Sequence, residues 1–330
     1  MGTVGTVITL ADYAKSLDPD GKIARVIEML NETNEVLDDM MFREGNLPTG
    51  HQHTVRTGIP EPTWRLLNYG VPVTKSKKAQ VTDTCGMLED YGQVDKDLAM
   101  LNGNTEAFRL SEDKAHIEGI SQALATAVFY GNQASDPEQI TGFAPRFNLT
   151  TAENGCNVLT GDGTGSDNTS IWLVGWGERS CFGITPKGSK MGLLAEDLGE
   201  ERVTDSNTPT GYYQALVSHY QWKVGLAVPD WRYVVRICNI DLSNLTKNAA
   251  TGSDLIDLMT QAVELLPSLS GVRPVFYCNR TIRSWLRRQK VNHTNVQITM
   301  EQVGGKPATQ FDGIPVKRCD AITNAETLVS

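Results

Sequence analysis

By residue type, the groups in this chain best suited to chemistry are Asp162, Asp167 and Glu196. The two aspartates lie in Gly161-Asp162-Gly163-Thr164-Gly165-Ser166-Asp167-Asn168, where oxygen-bearing side chains alternate with glycine as in a cation-binding loop. Such a loop also needs a bidentate glutamate further along, and none stands at that place. Glu196-Asp197 and Glu200-Glu201 would supply paired carboxylates for proton transfer. Two readings follow. One is a metal-dependent or acid/base enzyme built on Asp162, Asp167 and Glu196. The other is a mobile glycine-rich surface turn and a solvated acidic turn.

Other catalytic signatures are missing. No GxGxxG follows a strand, and there is no GxxxxGK[ST], HExxH or GxSxG. Of the five histidines, His51 and His53 are two apart and would face one way on a strand, but spacing offers no third ligand. The six cysteines form no CxxC and no Cys/His pairing, so buried free thiols are expected and no metal or cofactor is. The largest positive concentration is RTIRSWLRRQK (280–290), where Arg280, Arg283 and Arg287 share one helical face. Trp285 is its one aromatic, which is thin for a nucleic-acid groove. The readings for this face are an ionic contact with another subunit or an acidic partner, a solvated surface, or a nucleic-acid contact.

The net charge is −9 and the isoelectric point about 5.1, which disfavours wrapping nucleic acid or resting on anionic lipid. No apolar run reaches the length of a membrane span, and the N-terminus has no basic, apolar leader pattern. Met1-Gly2-Thr3-Val4-Gly5-Thr6 fits only a loose acylation pattern.

The elements that would position these residues read as an α+β chain. Residues 1–21 look like an arm, and 22–43 place apolar residues on one helical face, stopped by Gly45 and Pro48. Residues 87–101 read as a weaker helix. Asn104 or Thr105 opens a helix running to about Tyr130, a spine roughly 39 Å long. SIWLVGW, CFGIT, WRYVVRICNI and RPVFYCN read as strands. YYQALVSHYQWKVGLAV is strand or helix, and GSKMGLLAEDLGEERV is turn-like. Ser253 caps a helix ended by Pro267, and VQITM and GIPVKRCD are short final strands.

Between these elements lies RTGIPEPTWRLLNYGVPVTKSKKAQ (56–80), with three prolines and two glycines. It cannot be helical. It is also too apolar for a solvated linker. Folded back on itself, the segment 50–82 would reach about 45–50 Å, beyond the roughly 20 Å radius of gyration of a domain this size. An isolated two-stranded hairpin is marginal in water. Trp64, Arg65, Leu66, Leu67 and Tyr69, with Lys75, Lys77 and Lys78 behind them, are therefore expected to rest on a neighbouring subunit.

Four stretches sharpen this. ATAVFYGNQASDPEQITGF (125–143), SIWLVGWGERSCFGITPKGSKMGLLAEDLGE (170–200), YYQALVSHYQWKVGLAVPDWRYVVRICNI (212–240) and FDGIPVKRCD (311–320) resemble, in order and spacing, the major capsid proteins of tailed bacteriophages, in particular a group from short-tailed phages. The resemblance implies the capsid fold shared with herpesvirus shells. It would have an N-terminal arm and helix (1–45), an extended loop (46–85), a peripheral domain on the spine helix (86–150 and 291–330) and an axial domain with a central sheet (151–290). It implies a structural protein, not an enzyme. Such a protein assembles in the host bacterial cytoplasm and resides in the virion, as hexamers and pentamers of an icosahedral shell enclosing double-stranded DNA without sequence-specific binding. A scaffolding protein, a portal and, in some relatives, a decoration protein would be partners. Some members of the wider fold join an extended-loop lysine to a neighbour's asparagine. Lys75, Lys77 and Lys78 stand in that segment, where they equally serve to solvate it.

Overall fold

The computed structural model describes residues 32–101, 105–204, 211–247, 252–289, 298–303 and 306–330. The N-terminal arm, most of the helix expected over 22–43, Asn104, Lys290 and His293 lie outside them. Among the described residues the chain divides into two compact units. The larger comprises 33–86, 126–191 and 224–330, and the smaller comprises Glu32, 87–125 and 192–223.

The larger unit is organised by β5 (Asn168–Trp176), whose residues are all buried. A strand covered on both faces must be apolar along its whole length, which Ile171-Trp172-Leu173-Val174 supplies. It pairs antiparallel with β9 (Val234–Asp241) and β10 (Arg273–Cys278). With β4 (Val158–Thr160), β11 (Ile298–Val303), β12 (Lys306–Phe311) and β13 (Ile314–Arg318) these form a seven-stranded sheet in the order β11-β12-β13-β10-β5-β9-β4. On one face, Ile171, Leu173, Ile237 and Phe276 pack against Leu255 and Met259 of α5 (Leu255–Glu264) and Ile282 and Leu286 of α6 (Arg280–Gln289). The cap of α5 is Asp254, which accepts from the Ile256 and Asp257 amides; Ser253 instead donates its hydroxyl to the Gly161 carbonyl at 2.6 Å. On the other face, Trp172 meets the rings of Phe129, of Phe143 in the short α4 (Phe143–Arg146) and of Phe147, at 6.1, 5.7 and 6.2 Å.

Phe129 comes from the end of α3 (Thr105–Tyr130), a helix of 26 residues. Two glycines explain how the chain leaves it. A Cβ at Gly131 would stand 2.5 Å from the Ile140 carbonyl, and one at Gly142 would stand 2.6 Å from the Ala127 carbonyl. Only glycine lets the 131–142 loop fold back this closely on the helix end. That gives a physical reason for the GN…GF pattern.

The segment before the first strand is clasped to the same sheet. α1 (Val36–Asp39) buries Asp39, whose carboxylate accepts from the Tyr277 hydroxyl at 2.8 Å and the Lys317 ammonium at 2.6 Å. The Tyr277 hydroxyl in turn accepts from the Trp176 indole at 2.8 Å. Burial, then the Asp39 charge, pushes the phenol well above its ordinary range, so it stays a donor. Asp39→Ala strands a tyrosine and a lysine together. It is expected to cost about 2–3 kcal/mol, read as a lower urea midpoint with an unchanged slope.

The expected 22–43 helix does not run through its described end: after α1 the chain is extended as β1 (Phe42–Glu44), parallel to β6 (Phe182–Thr185). β1, β6, β8 (Tyr212–Ala227), β3 (Lys77–Asp95) and β2 (Gly50–Gly58) follow one another in a second sheet, with β7 (Leu194–Thr204) paired to β8. Two expectations change here and one open alternative is settled. Residues 87–95 are strand, leaving only α2 (Lys96–Met100) helical. The ambiguous 212–228 stretch is strand. The acidic turn is β7, and its bulge places Gly199 at φ 75°.

The smaller unit has a small core of Val94, Leu98, Ala99 and Phe108 with Leu216. Charge adds to it. Arg109 grips Asp197 through two hydrogen bonds of 3.0 and 2.6 Å, and these hold the Asp197 carboxyl below its usual range. All six cysteines are free, and Cys156 is exposed rather than buried. Burial pushes the Cys278 thiol up to about 12, so it is inert at neutral pH.

Candidate assembly interface

β2 and β3 form the root of the extended loop, pairing antiparallel from Gly50↔Thr84 to Gly58↔Lys77 with an irregularity at Arg56/Gly58. The root is firmly mounted. Asp83 is buried and takes the Arg146 guanidinium at 2.8 Å and the Val228 amide at 3.3 Å. His53 lies 3.6 Å from the same carboxylate, and desolvation outweighs that attraction, so its pKa is lowered. His51 and His53 do share a face, with ring centroids 6.3 Å apart. Asn46 fastens the outer edge by bonding both the amide and the carbonyl of Gln52, at 2.7 and 2.6 Å.

Beyond Gly58 the chain runs without regular structure to Lys77. Pro60, Pro62 and Pro72 remove three backbone donors, which blunts any tendency to pair edge to edge. One turn interrupts the run, closed by the Tyr69 amide on the Leu66 carbonyl at 3.2 Å, with Asn68 at φ 68°. Within the chain this tip is almost naked. Trp64 is 102%, Val73 101%, Leu67 87% and Leu66 73% exposed, and Tyr69 is 68% exposed. Arg65, Lys75, Lys77 and Lys78 are exposed as well. Seven large apolar side chains from Ile59 to Val73 thus stand in water, a concentration that marks a binding surface rather than scattered surface residues.

The basic helix is mounted differently. The Asn279 side chain caps α6 by accepting from the Ile282 amide at 2.9 Å. Gln289, wholly buried, ties its other end to the Thr246 and Ser253 carbonyls at 3.1 and 3.2 Å. Ile282 and Leu286 face the core, so Arg280, Arg283 and Arg287 must face outward. They line a groove of about 660 Å³ together with Arg288 and Arg318. Arg318 could not be assigned there from sequence: the parallel pairing of β10 with β13 brings Arg318 opposite Cys278, two residues before the start of α6. The anchoring of the loop root through Asp83 and Arg146 was equally hidden, because their partnership spans 63 positions of chain and follows no local pattern.

The carboxylates that suggested an enzyme belong to two different units. Asp162 and Asp167 belong to one loop of the larger unit, and Glu196 is an exposed residue of β7 in the smaller one. The loop is held rather than mobile. The Gly161 and Gly163 amides donate to the Cys238 and Asn239 carbonyls at 2.8 and 2.9 Å. A Cβ at Gly163 would stand 2.5 Å from the Asn239 carbonyl, so its glycines serve close packing on β9. Asp167 lies 3.4 Å from the Ser243 hydroxyl, which bonds Asp241 at 2.7 Å. Among the described residues no three His, Cys, Asp or Glu side chains are grouped to hold a metal. None of the described helices is long and apolar enough to cross a membrane.

Comparison with known proteins agrees with this arrangement. A family model for the major capsid protein GP7 matches residues 18–330. Among solved structures the chain is similar to one in the near-atomic structure of bacteriophage Epsilon15, with 38% identity and a TM-score of 0.80 over 100% of this chain and 99% of that one. It is distantly similar to a chain of the bacteriophage JBD30 capsid, at 12% identity and a TM-score of 0.47 over 89% and 93% of the two chains. No curated protein matches. The α+β architecture is therefore that of tailed-phage capsid proteins, and the chain belongs to the GP7 family of major capsid proteins.

Proposed function

We propose that this chain is the repeating subunit of a closed icosahedral shell of hexamers and pentamers around double-stranded DNA, and that its extended loop lies on the adjacent subunit. The observation that carries this reading is the tip from Ile59 to Val73, whose large apolar side chains stand exposed with nothing among the described residues to cover them. Its work is self-association, with no catalytic step. Each contact is modest and repeats around a closed surface, so the whole gains from multivalency. A net charge of −9 suits a container that must fill with and release DNA, since a strongly basic lining would hold the phosphates. A scaffolding protein and a portal ring would direct closure in the host cytoplasm, and a decoration protein is compatible with an exposed outer surface. The arm, extended loop, peripheral and axial regions would divide these tasks.

Electron microscopy and light scattering of the expressed protein test the reading. Closed particles, alone or with scaffold, are expected. A species that stays monomeric at high concentration with scaffold present overturns it.

A further inference from the structure

The arginine groove on α6 gathers one sign of charge on a helix whose packing against the sheet is made by Ile282 and Leu286. Arg280 and Arg283 sit in the first turns of the helix, where the macrodipole disfavours positive charge, and the first turn holds no acidic residue. Stability alone would place acids there. Arg280 is 71% exposed, and Asp320 lies 3.6 Å away. Arg318 already holds Asp320 through two hydrogen bonds, at 2.8 and 2.5 Å. Arg283 has no ion pair among the described residues. Five guanidinium groups, from Arg280, Arg283, Arg287, Arg288 and Arg318, thus border one concavity of about 660 Å³, with Arg287 already engaged within the chain and no acidic residue among the described residues of the lining.

We propose that this groove binds carboxylates on a second copy of the chain, as an ionic contact between subunits of the shell. The inference rests on the shell reading above. Charge complementarity selects the occupant. Each copy carries 39 acidic against 30 basic residues, so a neighbour offers carboxylates in excess. Guanidinium groups pair bidentately with carboxylates in the fixed geometry that Lys lacks. Shape also favours it. α6 has ten residues and is about 15 Å long, a concave patch on a short helix. A duplex backbone is better served by an extended stripe of cations interleaved with aromatics. Cross-subunit charge pairs of this kind set register and partner choice as much as affinity.

Two variants test the proposal, with wild-type shell formation as the control. Arg280→Glu with Arg288→Glu, both exposed in the subunit, should melt like wild type. Its shell yield should fall at least tenfold at about 0.1 M salt, where screening is still incomplete. Arg280→Lys with Arg288→Lys keeps the charge and supplies amines. Carbodiimide treatment of its shells should give zero-length links from position 280 or 288 to an Asp or Glu of another subunit, identified by mass spectrometry and absent from unassembled protein. If wild type forms shells and the double reversal forms them equally well, the groove inference fails and the shell reading stands. The same holds if the reversal spares assembly but abolishes salt-dependent binding of the free subunit to duplex DNA, which would assign the groove to phosphates. If wild type itself forms no shells, both fail.

Discussion

With residues 59–76 replaced by Asn-Gly, the subunit stays soluble and folded, melts like the full chain, and forms no shells. The replacement is drawn from the register. Gly58 and Lys77 are the last facing pair, and Asn-Gly is the two-residue turn that closes such a pair with the right twist. The excised residues touch almost nothing else in the chain, so the change in unfolding free energy should stay within about 0.5 kcal/mol. Assembly is another matter. Burying a large apolar side chain is worth roughly 1.5–3 kcal/mol, so Trp64, Leu66, Leu67 and Tyr69 together offer about 6–12 kcal/mol per loop. Ordering the loop and joining two subunits costs an amount of the same size, about 4–15 kcal/mol. A single loop contact is therefore close to balanced, and removing its apolar side chains tips it decisively.

A milder variant separates burial from mere length. Trp64→Ser with Leu67→Ser keeps the loop and its prolines but removes about 3–6 kcal/mol from each contact, a factor of about 10² to 10⁴ in each pairwise equilibrium. Because every subunit both gives and receives a loop, the loss multiplies around the shell. Sedimentation of the two variants beside wild type reads the result. Normal shells from the Asn-Gly variant would remove the loop from the assembly mechanism altogether.

Legibility from the sequence followed the range of the determining interaction. The 26-residue helix ending at Tyr130 was readable because its spacing and the Gly131 stop are local. So was β5, since burial on both faces demands one uninterrupted apolar run. β7 was not readable. It is exposed along most of its length, so its acidic residues show no alternation, and its pairing with β8 decides its conformation. Residues 87–95 were misread as helical for a related reason: in MLEDYGQVD apolar and polar residues alternate too loosely to announce a strand. For the candidate surfaces the same rule held. The loop tip was legible because unpaired apolar residues among prolines have few uses. The arginine groove was half legible, since the helical spacing of Arg280, Arg283 and Arg287 is local while the arrival of Arg318 depends on a parallel strand pair.

Glu326→Ala should be the most damaging single substitution in the larger unit, at about 3–5 kcal/mol. Glu326 lies four residues before Ser330, in a stretch of the kind that is usually expendable. Here the tail is built into the core. The Glu326 carboxylate takes the Arg236 guanidinium at 2.8 Å, the Tyr130 hydroxyl at 2.5 Å and the Ser170 hydroxyl. Both charged side chains are 4% exposed. Burial, then the neighbouring carboxylate, drives the Tyr130 phenol far above its ordinary range, so it remains a hydrogen-bond donor at any working pH. On either side the Thr323 carbonyl accepts from the Thr169 hydroxyl at 2.8 Å, and Asn239 holds Val329 through bonds of 2.8 and 2.9 Å. Removing the carboxylate leaves Arg236 with the Phe147 carbonyl, the Ser170 hydroxyl and the face of Trp172, none of which balances its charge. The penalty belongs to the stranded charge rather than to the lost pair, and that makes it testable. Arg236→Met combined with Glu326→Leu replaces both ions by apolar groups of similar volume and should recover most of the loss, as buried pairs do when both members go. Urea unfolding of the unassembled subunit gives the three free energies. A double variant as unstable as Glu326→Ala alone would mean that the carboxylate's own bonds to Tyr130 and Ser170, and not the uncompensated guanidinium, hold the tail in place.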